Sequence, residues 1–217
     1  MDLIYPNQPV EVFPDSLDDL DDGTSFAQSK VDGYRCLLMR DPSHNIIKSY
    51  DGSESWDMGD GYFFLSRRGV NKGGPTRLDV SEEIIQEVRE LGLPINTMID
   101  AEWLERRTKK DGIGECLYAH DILWLEDHWL GQIDCWKRFN TLTCLFSSLG
   151  SVVKVVDHVE KGFRKFFEQQ KQTPWCEGIV IKDKNHKIKG SRKECQKNGL
   201  WQKIKWRGGS SGRKLFY

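Results

Sequence analysis

The chain is constrained most by the stretch Ser-Lys-Val-Asp-Gly-Tyr-Arg at positions 29 to 35, which lies between two apolar runs. The sequence from Phe26 to Met39 alternates or runs apolar on both sides of Lys30, so we predict two β-strands that meet at this lysine. Lys30 is a candidate covalent nucleophile. Its amine attacks phosphorus only when deprotonated, so the site must lower a pKa of about 10.4 through neighbouring cations or burial.

The residues that follow Lys30 suit a site for a phosphorylated ligand. Gly33 lets the backbone turn sharply and approach a ligand closely, and the guanidinium of Arg35 matches phosphate or ribose oxygens. Charged residues around a glycine also occur in ordinary surface turns, and these seven residues alone favour that simpler interpretation. The nucleophile hypothesis therefore depends on partners elsewhere in the chain.

Two further apolar segments carry charged pairs. The pairs are Asp100 with Glu102, inside 95–104, and His120 with Asp121, inside 116–125. The two acids of the first pair would share one face of a strand, and such a buried pair needs a metal, a cation or a hydroxyl. The second pair could be a mechanistic dyad, although a hydrogen-bonded structural pair is more frequent.

A β-forming run from 175 to 182 carries a carboxylate near its start and a lysine at its end. Alternation would place Glu177 on the same face as Ile179 and Ile181. Lys182 would then lie on the opposite face.

The last predicted strand, from 200 to 206, has lysines on one face and mainly apolar residues on the other. Lys203 and Lys205 share a face, and Gln202, Ile204 and Trp206 share the opposite one. Two lysines side by side on a central strand need an anion, and a triphosphate is the natural candidate.

The rest of the sequence predicts scaffold. A buried strand at 62–65 leads to Ser66 and the arginines at 67 and 68, and a second strand is predicted at 152–156. Helices are predicted at 81–91, at 136–149 with Gly150 as the stop, and at 159–170. Residues 1–22 contain three prolines and are predicted to be an irregular lead-in that ends in an acidic run.

The charge distribution is uneven although the net charge is only −1. Residues 1–22 hold seven acids and no Lys or Arg, whereas residues 182–217 hold twelve bases against two acids. Because Trp201, Trp206, Phe216 and Tyr217 are interleaved with these bases, we expect a surface for a nucleic-acid backbone rather than a merely solvated face.

Composition places the chain in a reducing, intracellular compartment as one domain. Its 217 residues suit one core, no segment approaches the roughly 20 apolar residues of a membrane span, and no signal peptide is recognisable. The six cysteines include no C-x-x-C pair, so we expect free thiols rather than a zinc site or a disulfide framework.

Taken together, these residues resemble the covalent nucleotidyltransferase superfamily, and within it the ATP-dependent DNA ligases. The resemblance runs from about Gln28 to Trp206 and rests on six motifs that stand in the family's order. The motifs are Lys30-Val31-Asp32-Gly33, Ser66-Arg67-Arg68-Gly69, Ile99-Asp100-Ala101-Glu102, Tyr118-Ala119-His120-Asp121-Ile122-Leu123, Glu177-Gly178-Ile179-Val180-Ile181-Lys182 and Trp201-Gln202-Lys203-Ile204-Lys205. Each is weak alone, but six in order are a strong signal.

The resemblance implies an α+β adenylation domain of antiparallel sheets flanked by helices, with an ATP cleft between them. Lys30 would attack the α-phosphate of ATP to form lysyl-AMP, and Lys203 and Lys205 would grip that phosphate. Gln28 would take part in reading adenine. His120 stands where the family usually stacks an aromatic ring on the base.

Further roles follow from the same resemblance. Arg35 and Arg67 would contact the ribose, the phosphates or the nick, and Lys182 would also bind the nucleotide. Glu102 would bind the ribose and help to hold a metal. Glu177 would hold the water shell of Mg²⁺, for which Mn²⁺ could substitute. The AMP would then pass to a 5′-phosphate at a nick in duplex DNA, and the protein would act as a monomer.

The resemblance leaves alternatives. RNA ligases share the chemistry, and a duplex containing RNA is a possible substrate. A capping-type guanylyltransferase usually has Asp-Gly where this chain has Glu177-Gly178, and a catalytically dead binding module would not need the intact lysines. The chain ends eleven residues after Trp206, so we expect the adenylation domain without the family's C-terminal OB domain. The division would be a lead-in at 1–22, a catalytic core at 23–206 and a basic tail at 207–217.

Overall fold

The computed structural model describes residues 2–44, 56–67, 74–105, 114–146, 150–191 and 193–206. The basic tail at 207–217, with Phe216 and Tyr217, lies outside the described residues. So do Arg68 and Gly69 of the second motif and the last three residues of the helix predicted at 136–149.

The described strands form two sheets. The first sheet has the order β1-β11-β10-β2-β9, where β1 is Gln8–Glu11, β2 is Ser25–Val31, β9 is His158–Val159, β10 is Cys176–Asp183 and β11 is Lys197–Lys205. The second sheet has the order β4-β3-β5-β6-β7, where β3 is Tyr34–Arg40, β4 is Tyr62–Ser66, β5 is Thr97–Leu104, β6 is Cys116–Leu125 and β7 is His128–Trp129. A further strand, β8 at Val153–Val155, pairs with β6. Most pairings are antiparallel, and β1 with β11 and β6 with β8 are parallel.

The helices pack on the two sheets and give the α+β class that was predicted. They are α1 at Leu17–Leu20, α2 at Glu82–Leu91, α3 at Cys135–Leu145 and α4 at Phe163–Gln170. Apolar residues of α1 and α4, such as Leu17 and Phe163, form a core with Ile179 and Ile204 of the first sheet. Those of α2 and α3 join the larger core, which the second sheet dominates. Within the described residues, no helix is long and apolar enough to cross a membrane.

The Lys30 stretch connects the two sheets. The two strands predicted around Lys30 are present, but β2 belongs to the first sheet and β3 to the second. Only Asp32 and Gly33 lie between them, and a Cβ on Gly33 would collide with the backbone oxygen of Trp103. Glycine is therefore required where the chain crosses closely packed backbone, and Lys30 is left facing the space between the sheets.

The N-terminal segment is more ordered than predicted. The sequence suggested an irregular lead-in at 1–22, yet this segment forms β1 and α1 and buries Tyr5 and Leu17 completely. β1 is held by parallel pairing with β11, nearly 190 residues later, where Gln8 lies opposite Lys197. Local sequence patterns do not reveal a pairing of such long range.

Two predicted helix boundaries are wrong. The helix predicted from Val159 begins at Phe163, because Gly162 has a left-handed φ of 75° and Val159 instead pairs with β2. The helix predicted to stop at Gly150 ends at Leu145. Side-chain periodicity continued past both true ends, which are decided by backbone conformation.

Candidate active site

A cleft of about 440 Å³ opens beside the Lys30 turn and is lined by residues of both sheets. Its lining includes all ten residues that the sequence proposed for nucleotide or metal binding, namely Gln28, Lys30, Arg35, Arg67, Glu102, His120, Glu177, Lys182, Lys203 and Lys205. The chain therefore brings together side chains that are up to 177 positions apart in the numbering, from Gln28 to Lys205. Their individual roles remain predictions.

Glu177 joins two lysines at the centre of the cleft. Its Oε1 forms an ion pair with Nζ of Lys30, and its Oε2 accepts a hydrogen bond of 2.7 Å from Nζ of Lys205. Burial alone would raise the pKa of Glu177, but the charge of Lys30 and the hydrogen bonds from Lys205 and Lys30 hold it below its usual value. Glu177 is thus a carboxylate that holds the proposed nucleophile in the cleft.

Glu177 faces the cleft because of a β-bulge. Between β10 and β2 the register shifts so that Cys176 lies opposite Val31 and Gly178 opposite Lys30, which leaves Glu177 as an extra residue. Strict alternation had predicted that Glu177 shares the face of Ile179 and Lys182 lies opposite. This prediction is wrong, because the bulge places Glu177 on the cleft side together with Lys182.

Asp100 is neutralised by the guanidinium of Arg35. Nε of Arg35 donates to Oδ1 of Asp100 at 2.7 Å, and Nη2 pairs with Oδ2; both side chains are buried. The remaining Nη1 donates to the backbone oxygen of Asn7 at 2.9 Å. Burial opposes the charge of Arg35, yet Asp100 raises the pKa of the guanidinium. The predicted convergence of Asp100 and Glu102 is found, but each carboxylate has a different environment.

Glu102 lies near several cations. Its desolvation raises its pKa, while the charges of Lys30, Arg35 and Arg67 act in the opposite direction. Arg67 itself is exposed at the cleft mouth. Glu102 therefore stands within the electrostatic reach of both the nucleophile candidate and the outer arginine.

The inner wall of the cleft is organised around the backbone oxygen of His120. Nε2 of Gln28 donates to this oxygen at 3.2 Å and Nζ of Lys182 at 3.1 Å. Nζ of Lys182 also lies 4.2 Å from the ring centroid of Trp201, a cation–π contact. Desolvation lowers the pKa of Lys182, and desolvation followed by the charges of Lys182 and Arg35 lowers the pKa of His120 well below its usual value. The ring of His120 is therefore held in its neutral form.

His120 and Asp121 do not form the pair that the sequence allowed. Asp121 receives hydrogen bonds from Nε and Nη2 of Arg138 at 3.0 and 2.9 Å, and both side chains are almost completely buried. His120 lines the cleft, where its Nε2 lies 3.6 Å from Oδ1 of Asp100. Alternation along β6 separates the two neighbours, so neither the dyad nor the structural pair is present.

Sequence reasoning missed part of the cleft wall. Gln8 and Pro9 of β1 and Lys197 of β11 also line the cleft. Lys203 lies on the same edge, with Nζ 3.3 Å from Oε2 of Glu11. The sequence only weakly indicated that β1 forms part of the cleft. Apolar residues before β1, such as Tyr5, indicate a buried segment but not the strand against which it packs.

The charged groups of the cleft suit a hard divalent cation that is held mainly through a ligand. Among the described residues, no three or more His, Cys, Asp and Glu side chains surround a common metal position. Glu102 and Glu177 are the carboxylates of the described cleft lining. Because Mg²⁺ commonly uses one or two carboxylates, several waters and substrate phosphates, this pair fits it.

The chain is similar to a known family and to several solved structures. Residues 8–205 match the sequence profile of the family described as the ATP dependent DNA ligase domain. The ligase domain of LigD from M. tuberculosis is 17% identical with a TM-score of 0.62, and the match covers 93% of this chain and 59% of that one. Among curated protein sequences, none matches this chain.

Two other structures share the fold. A mycobacterial DNA ligase D complexed with ATP and MES is 14% identical with a TM-score of 0.65, covering 94% of this chain and 60% of that one. A structure from work on Lig E DNA ligases, described as DNA binding with a minimal scaffold, is 15% identical with a TM-score of 0.54, covering 92% and 67%. The chain spans about three fifths of the ligase D structures that it matches.

Proposed function

The chain belongs to the family of ATP dependent DNA ligase domains, and we propose that it transfers AMP from ATP to Lys30 and then to a 5′-phosphate at a nick in DNA. The observation that carries this proposal is the contact of Lys30 with Glu177 inside a cleft lined by further cations. A lone surface lysine would have no such setting. The charges of Glu177 and Lys205 orient the amine of Lys30 toward the space that a nucleotide would fill.

The proposed first step is a substitution at the α-phosphorus of ATP. Nζ of Lys30 forms an N–P bond while the bond from this phosphorus to the pyrophosphate oxygen breaks, and pyrophosphate leaves with that electron pair. In its ion pair with Glu177 the amine carries an extra proton, so one proton leaves before the attack and a second leaves as the N–P bond forms. Oε1 of Glu177 is in hydrogen-bonding contact with Nζ and can pass the first proton to solvent, while the departing pyrophosphate can take the second.

Lys205 and Lys203 supply positive charge on the β11 side of the cleft. Their amines point to the same cleft as Lys30, so they can stabilise the negative charge that builds on the phosphate oxygens during transfer. Bound Mg²⁺ or Mn²⁺ would be held by Glu177 and Glu102 and would neutralise phosphate charge further. Lys203 and Lys205 are fixed, preorganised charges whether or not such an ion is bound.

The inner wall is the proposed base pocket. Gln28 donates one amide hydrogen to the His120 backbone oxygen, which leaves its Oε1 as an acceptor for an exocyclic amino group. The neutral ring of His120 would stack on the base, and Lys182 closes the same wall. Arg35, Arg67 and Glu102 would contact the ribose, the phosphates or the nick.

DNA is the proposed substrate because the second half of the chain is basic and the similar structures are described as DNA ligases. In the later steps AMP would move from Lys30 to the 5′-phosphate, and attack by the 3′-hydroxyl would seal the strand and release AMP. We also infer a monomer in a reducing compartment, consistent with six free cysteines.

The test is the intact mass of the purified protein after incubation with Mg²⁺ and either ATP or GTP. One AMP added to the wild type and none added to Lys30→Ala is the expected result; Lys171→Ala, a lysine outside the cleft, is the matched control. Addition of GMP would assign the chain to guanylyl transfer instead. Absence of an adduct in folded wild-type protein would contradict the proposal, and sealing assays on nicked DNA and nicked RNA would then separate the two ligase classes for a labelled protein.

A further inference from the structure

A largely buried polar cluster joins the N-terminal segment to β11. The cluster consists of Asn7, His186 and Asn198. Nδ2 of Asn7 lies 2.8 Å from Nε2 of His186, and Nδ2 of Asn198 lies 3.0 Å from the same ring nitrogen. Asn7 and His186 are 4% and 7% exposed. One imidazole nitrogen therefore connects three segments that are distant in the sequence.

The hydrogen bonds of Asn198 define the protonation of His186. Oδ1 of Asn198 accepts a hydrogen bond of 2.8 Å from the backbone N–H of Leu200, so its Nδ2 is the atom that faces the ring. Nδ2 of Asn7 also faces Nε2 of His186, so both amides can donate to this nitrogen when it carries no proton. A proton on this nitrogen would set one N–H against two others and break the cluster.

The charged groups around His186 come from several elements. Its backbone oxygen accepts from Nη1 of Arg138 at 3.3 Å, and the ring packs edge-on against Trp201, with centroids 6.1 Å apart. Burial and then the charge of Arg138 lower the pKa of His186, together with Lys182, while Asp183 and Asp121 act in the opposite direction. The sum favours the neutral ring.

The cluster reaches the cleft by two routes. The backbone oxygen of Asn7 accepts from Nη1 of Arg35 at 2.9 Å, and the next two residues, Gln8 and Pro9, line the cleft. On the other side, Asn198 belongs to β11, the strand that carries Lys203 and Lys205. The cluster therefore fixes two walls of the cleft relative to each other.

We propose that Asn7 and His186 are positioning residues for the nucleotide: the neutral ring of His186 ties Asn7, and through it Arg35, to the phosphate-binding strand β11. This inference rests on the nucleotide cleft proposed above. Neither residue touches the nucleotide. Both act by holding residues that do.

The test measures ATP affinity in a Lys30→Ala background, which cannot form the adduct. Isothermal titration calorimetry measures the dissociation constant of ATP at several pH values from about 7.5 to about 5.5, a range in which a free histidine becomes protonated. His186→Gln places an amide oxygen near the position of Nε2 and keeps a neutral acceptor at every pH. Because the two proteins differ only at position 186, a change with pH in the ratio of their dissociation constants reports on His186.

The expected result is that the protein with His186 loses affinity relative to His186→Gln as the pH falls below 6.5. Asn7→Ala should weaken ATP binding at pH 7.5 by about fivefold, the equivalent of one hydrogen bond. Gln86→Ala removes an exposed amide that bonds Glu90 and is the matched control. Circular dichroism at each pH verifies that the compared proteins are folded.

Unchanged ATP affinity in Asn7→Ala would overturn the inference, as would a ratio that stays constant across a pH range in which His186 becomes protonated. These outcomes are separable from failure of the proposed function. Failure of the Lys30→Ala parent to bind ATP at pH 7.5 would overturn both, whereas binding without dependence on His186 would overturn this inference alone.

Discussion

The amine of Lys30 is held by one oxygen of the Glu177 carboxylate, while the other oxygen accepts a hydrogen bond from Lys205. Two positive side chains therefore share one negative partner at the centre of the cleft. An incoming triphosphate would compete with Glu177 for both lysines. Under the proposed function, nucleotide binding would thereby release Lys30 for attack.

Replacement of Glu177 by Gln should slow formation of lysyl-AMP by roughly 10²-fold, a typical loss for a removed acid–base group. The amide retains a hydrogen-bond acceptor but not the charge that balances the two lysines. Single-turnover labelling with radioactive ATP measures the effect. Glu168→Gln, which alters an exposed pair with Lys171, should label at the wild-type rate. Equal rates for both variants would remove Glu177 from the chemistry.

Lys203→Ala and Lys205→Ala should reduce the rate of AMP transfer more than they weaken ATP binding, by roughly 10²-fold in rate. The reason is that charge on the transferring phosphate grows as the reaction proceeds. Rates at saturating ATP, compared with dissociation constants, separate the two effects. A loss confined to affinity would show that the lysines bind the ground state only.

Asp100→Asn should lower the free energy of unfolding by about 3–5 kcal/mol, because it leaves the buried guanidinium of Arg35 without its counter-charge. Urea denaturation followed by circular dichroism measures this change. The exposed pair of Asp18 with Arg164 provides the control, since Asp18→Asn should leave stability nearly unchanged. Similar effects at the two sites would contradict the view that Arg35 and Asp100 form a structural core of the cleft.

Stability should fall as the pH is lowered below 6.5. The pKa values of His120, His158 and His186 are all depressed in the folded chain, with burial as the main cause. Between the folded values and 6.5 the unfolded chain binds protons that the native chain does not, so the free energy of unfolding rises with pH in this window. Urea denaturation at pH 7.5 and 5.5 should show the loss, and His186→Gln should lose less. An equal loss in both proteins would exclude His186 as a contributor.

Binding to a nicked duplex should weaken steeply as salt concentration rises, because phosphate contacts release counterions. Lys197 is exposed and lines the cleft edge, so Lys197→Ala should reduce the slope of log K against log salt by about 1. Fluorescence anisotropy of labelled nicked DNA measures both slopes. An unaltered slope, matching that of Lys171→Ala, would place Lys197 outside the interface.

Local sequence patterns predicted the strands that carry the site. The strands around Lys30 and the lysine-bearing strand β11 follow from alternation of apolar residues, and the facing of Lys203 and Lys205 is as expected. The order of the six motifs then brought distant residues into one hypothesis. The structure places those residues around one cleft.

The features that sequence patterns could not supply depend on partners far along the chain. The bulge that turns Glu177 toward Lys30 is a mismatch between two strands, and neither strand shows it alone. The bond of Arg35 to Asp100 spans 65 positions. The strands β1 and β11 pair although they lie near opposite ends of the chain. A short stretch of sequence around Asn7 therefore does not predict its contact with residues near β11.

The crossing of the chain at Gly33 has a practical consequence. Lys30 lies near the end of a strand of one sheet, and its electrostatic neighbours Glu177 and Glu102 come from different sheets. A molecule in which either sheet is unravelled therefore lacks part of the setting that the amine needs. Under the proposed chemistry, the fraction of molecules in a preparation that accept AMP therefore measures the fraction that is correctly folded.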